Sequence, residues 1–63
     1  MDRITVIYHD ETPHGWWAES PQLDGWSAAG ESLEEVQRLA EEGVRFTLDR
    51  DDVAIEHRVP TSA

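Results

Sequence analysis

Alternation of apolar and polar positions opens the chain. Residues 3–9 (RITVIYH) put Ile4, Val6 and Tyr8 on one face and Thr5, Ile7 and His9 on the other, the period of two that marks a half-buried strand rich in β-branched residues. A polar turn with Pro13 and Gly15 follows, and residues 16–20 give a second strand with Trp16, Ala18 and Ser20 opposite Trp17 and Glu19. Pro21 to Gly25 forms the next turn, and residues 26–29 a short third strand. At Gly30 the period changes to 3.6. Ser32 is placed to cap a helix over 33–48, with Glu35 three residues later completing a capping box. Val36, Leu39, Ala40, Gly43, Val44, Phe46 and Thr47 mark the stripe predicted to face the sheet. Glu34, Arg38, Glu41, Glu42 and Arg45 mark the opposite face, with Glu34/Arg38 and Glu41/Arg45 at the i,i+4 spacing of ion pairs. Gly43 implies a close approach to the helix backbone. Residues 53–59 (VAIEHRV) alternate again and give a fourth strand.

The predicted architecture is a two-layer α+β domain, β-β-β-α-β, occupying residues 1–59, with 60–63 as a short frayed tail. Three strands on short connections form an antiparallel meander, and the helix returns the chain so that the last strand runs parallel to the first. The last strand fits beside strand three or beside strand one; the second is favoured, giving the expected sheet order 3-2-1-4 with one helix on one face. The other face is then uncovered and carries Ile7 and Trp17, an apolar pair expected to form an oligomer interface.

Composition sharpens this picture. A chain of 63 residues without cysteine has no disulfide or thiolate metal site to support a small core, so a homodimer or higher homo-oligomer is expected. Fourteen acidic residues against five arginines give a formal net charge of -9, which disfavours direct binding of nucleic acid and favours a basic protein partner. No apolar run is long enough to span a bilayer and no signal-peptide pattern is present, so a cytoplasmic location is expected.

Candidate chemistry is sparse. His9, Asp10, Glu11 and His14 fit a polar turn better than any zinc spacing, and His57, inside a strand pattern, fits a partnered structural histidine. Adjacent helix carboxylates (Glu34/Glu35, Glu41/Glu42) point about 100° apart and do not converge on one atom. No serine has an activating His/Asp set, and no phosphate loop is present. No catalytic residue, cofactor site or metal site is therefore expected, and the chain is not expected to be an enzyme. The three tryptophans read chiefly as core, with Trp17 in an interface.

The segment Gly15-Trp16-Trp17-Ala18-Glu19-Ser20-Pro21-Gln22-Leu23-Asp24-Gly25, continued by Ala29-Gly30-Glu31-Ser32-Leu33-Glu34-Glu35, resembles the HicB antitoxin family of toxin–antitoxin systems. The resemblance extends over nearly the whole chain. It implies a partial ribonuclease H-like sheet without its catalysis, and a protein-binding domain that neutralises a basic, RNA-cleaving HicA-like toxin by masking its RNA-binding surface. Trp17, Glu34, Glu41 and Glu42 are the expected partner-contacting residues. Two departures stand out: Trp26 occupies a position where the family has a smaller residue, and four residues follow Val59 where the family has a DNA-binding segment, so operator binding is expected to be absent. The alternatives are a degenerate ribonuclease H-like nuclease using Asp10 and the helix carboxylates with a divalent ion, and an orphan dimeric ligand-binding or structural domain with no toxin partner.

Overall fold

The computed structural model describes residues 3–60; the predicted tail lies outside the described residues except for Pro60. Its elements are β1 (Arg3–Asp10), β2 (Trp16–Glu19), β3 (Ser27–Gly30), α1 (Leu33–Leu48) and β4 (Ala54–Arg58). The four strands form one sheet in the order β3-β2-β1-β4. β1 pairs antiparallel with β2, β2 antiparallel with β3, and β1 parallel with β4. This is the mixed α+β sheet expected from the sequence, with the helix on one face.

The core follows from the two periods. Ile4, Val6 and Tyr8 on β1 and Ala18 on β2 are buried against Val36, Ala40 and Val44 on α1, and Val53 is buried just before β4. Those three helix residues are spaced by four, so they form one narrow stripe along α1. Phe46 departs from the expected sheet-facing set: it is 87% exposed. Two residues along a helix turn the chain by about 200°, so a stripe centred on Val44 leaves Phe46 pointing to solvent. Thr47, in the last turn, is exposed as well.

Local chemistry fixes the helix ends. The Ser32 side chain accepts from the Glu35 backbone N–H at 3.2 Å, and the Glu35 carboxylate accepts from the Glu31 N–H at 3.1 Å. The box thus closes on the residue before the cap rather than on the cap itself. At the other end Asp49 adopts φ 55, ψ 42, the left-handed conformation that ends many helices, and the Arg50 N–H donates to the Arg45 carbonyl. Gly43 is explained by a side chain and not by the sheet backbone: a Cβ there would lie 3.0 Å from Nε1 of Trp26. Trp26 thereby rests on the helix just ahead of β3, which begins one residue later than expected.

Candidate functional site

Two polar clusters lie on opposite sides of the sheet. The inner one joins β1, β4 and α1. Tyr8, 2% exposed, brings its hydroxyl within 2.5 Å of His57 Nδ1, and His57 Nε2 lies 3.2 Å from a Glu41 carboxylate oxygen. Glu41 also pairs with Arg45 at 3.5 Å. With a neutral imidazole, the Tyr8 hydroxyl donates to Nδ1 and the Nε2–H donates to the carboxylate. The outcome is that His57 has partners on both ring nitrogens. Burial, with the Glu41 charge adding to it, pushes the Tyr8 hydroxyl up to about 12. Sequence reading did not connect these residues. The available signal was that Tyr8 and His57 both fall on the inward alternation of strands expected to be neighbours.

This cluster sets a pH dependence. The unfolded chain releases the tyrosine proton near pH ~10, whereas the folded chain holds it up to about 12. Between those values the folded state binds the extra proton, so stability falls as pH rises and is fully retained below 10. The chain has one tyrosine, so tyrosinate absorbance reports this site alone. Its appearance is expected near pH 12 together with loss of structure, and near pH 10 in urea. Tyrosinate forming near pH 10 while the circular dichroism stays native would contradict the buried arrangement.

The outer cluster lies on the face that the helix does not cover. His9 and Trp17 are cross-strand partners, and their rings stack with centroids 4.1 Å apart and 14° between planes. Glu19 reaches His9 Nε2 at 2.7 Å, and the Trp17 indole N–H donates to Glu11 at 3.4 Å. The next residue across from Trp17 is Ala29 on β3, too small to cover an indole. Beside it, between Glu19 and the β2–β3 loop, is an open cleft of about 450 Å³ lined by Trp17, Glu19, Asp24 and Ser27 among others. Ile7 sits on the same face, diagonal to Trp17.

The expected partner residues therefore divide between two surfaces. Glu34 and Glu42 are exposed on the helix, while Glu41 is half-buried and engaged by His57 and Arg45. Trp17 is on the far side of the sheet, because its neighbour Ala18 faces the helix core. One flat partner surface cannot take all four. Arg38 pairs with Glu42 at 3.4 Å rather than with Glu34, both being four residues away, so Glu34 has no ion pair among the described residues.

Asp10, the acid considered for metal-dependent chemistry, accepts from the Thr12 backbone N–H at 2.9 Å and from the Thr12 hydroxyl. These hydrogen bonds hold its carboxyl below the usual carboxylate range. Among the described residues no group of three or more His, Cys, Asp or Glu side chains is arranged to hold a metal ion. No described helix is long and apolar enough to cross a membrane. Compared with known proteins, the chain matches no family model, no curated protein and no solved structure.

Proposed function

We propose that this is a non-catalytic, HicB-like protein-binding domain of antitoxin type, which neutralises a basic RNA-cleaving toxin by covering the surface that grips RNA. The observation that carries the reading is the outer face of α1. Glu34 and Glu42 are exposed along it, and the whole chain has a net charge of -9. A protein that binds RNA phosphates is cationic where it does so. A complementary acidic helix attracts that surface, speeds the encounter and blocks RNA by occupancy. The domain performs no chemistry of its own in this scheme, binds no nucleic acid, uses no cofactor and acts in the cytoplasm. Its uncovered sheet face, with Ile7 and Trp17, serves self-association, leaving the helix free for the partner.

The test uses the product of a gene adjacent to this one that encodes a small basic protein. Messenger-RNA cleavage by that protein should fall to background on addition of equimolar domain, with a stable complex seen by light scattering. Cleavage that continues unchanged would refute the antitoxin reading, and magnesium-dependent cleavage by the domain alone, abolished by Asp10→Asn, would replace it with the nuclease.

A further inference from the structure

We propose that the cleft between Trp17, Glu19 and Asp24 is a guanidinium slot filled by Arg58 of a second copy of the chain. The proposal rests on the self-association reading above and specifies its geometry.

Charge is divided across the uncovered face. Its β1–β4 side carries Arg3 and Arg58, which reach Glu56 at 4.0 and 3.3 Å. Its β2–β3 side carries Glu11 and Glu19 with the Trp17 indole and, among the described residues, no arginine, and Asp24 lines the cleft at its edge. Such a face is complementary to itself once turned over, as an isologous two-fold contact requires.

The register says which residues meet. Ile7 lies across from Arg58 on β4 and from Glu19 on β2, and Glu19 lies across from Ser27 on β3. The row therefore reads Arg58, Ile7, Glu19, Ser27. A two-fold axis parallel to the strands, passing between β1 and β2, lays β4 of one copy over β3 of the other and leaves every residue at its own row. Arg58 of the second copy then falls above Ser27, between Glu19 and Asp24 and beside the indole face that Ala29 leaves bare. In the adjoining row the same operation sets the His9–Trp17 stack of one copy on that of the other. Facing sheets pack roughly 10 Å apart, a gap that an arginine side chain spans. The residue type also fits: a planar guanidinium stacks on an indole and forks onto carboxylates, which an ammonium does not. Arg58 is available because its contact with Glu56 is solvent-exposed on both sides, a kind of pair that holds little energy.

Reciprocal charge reversal tests this, read by sedimentation at micromolar concentration. The wild-type chain should be a dimer. Glu19→Arg and Arg58→Glu should each weaken self-association by at least tenfold, since each sets like charges together twice per dimer. A 1:1 mixture of the two variants should recover dimers at nearly wild-type strength, because in that heterodimer both contacts pair opposite charges. Should Glu19→Arg disturb the fold by releasing His9, Asp24→Arg in its place, in the exposed β2–β3 loop, should give the same recovery. A wild-type dimer whose variants are unaffected, or not rescued by mixing, overturns the slot but leaves dimerisation standing. A wild-type monomer overturns both, and Glu19→Arg or Asp24→Arg then weakening the binding of a basic partner instead would assign the cleft to that partner.

Discussion

Gly15→Ala is expected to remove a third or more of the domain's stability. Gly15 closes the β1–β2 turn, accepting from the Glu11 N–H at 2.9 Å, with a φ of +100 that L side chains rarely adopt. A Cβ there would lie 2.6 Å from the Gly30 carbonyl oxygen, a backbone atom at the end of β3 that cannot swing aside. Backbone strain of this kind costs about 1–3 kcal/mol, and relieving the clash means parting the turn from β3. A loss of about 3 kcal/mol or more follows, against roughly 3–9 kcal/mol expected in total for a domain this small. Gly25→Ala is the matched control: its φ is +79, but nothing lies within 4 Å of an added Cβ. Urea denaturation should show Gly25→Ala destabilised by strain alone and Gly15→Ala by clearly more. Equal losses would mean that the packing of Gly15 against Gly30 is not as described.

The second large effect concerns association. Reversing Glu34 and Glu42 to lysine changes the chain's charge by four, from -9 to -5, all of it on the helix face proposed for the basic partner. Electrostatic steering raises association rates by about 10–1000-fold, so the double variant should bind its partner at least tenfold more slowly at low salt. Both residues are exposed, and the ion pair of Glu42 with Arg38 is a surface pair. Folding should therefore be little changed. Glu41 is left in place, because reversing it would also break its contacts with His57 and Arg45 and set a cation beside the Tyr8–His57 chain.

The elements were legible because each is announced locally. Ser32 and Glu35 fix the start of α1, and the helix spans the predicted residues 33–48. Alternation in β1 assigns its inward side chains correctly; connectivity leaves two places for the last strand, beside strand three or beside strand one, and the favoured one, giving 3-2-1-4, is the one observed. Strand ends shifted by a residue where a large side chain found better burial elsewhere, as Trp26 did on Gly43. The candidate site was less legible because it depends on register between strands. Alternation shows that His9 and Trp17 share a face, but not that they sit directly opposite and stack. It places Tyr8 and His57 inward without showing that Glu41 completes the chain from the helix. Grouping Trp17 with the helix glutamates by chemistry alone crossed the sheet. Phe46 was drawn into the core stripe by its hydrophobicity, against the helical period that turns it outward.

The most direct test of electrostatic masking is the association rate of the wild type and of the Glu34→Lys/Glu42→Lys variant with the adjacent-gene basic protein, across a salt series. Screening shortens from about 10 Å at 0.1 M salt to about 3 Å at 1 M. The wild-type rate should fall steeply with salt, the variant rate should fall much less, and the two should converge at high salt. Rates that are equal at low salt and indifferent to ionic strength would contradict the masking mechanism.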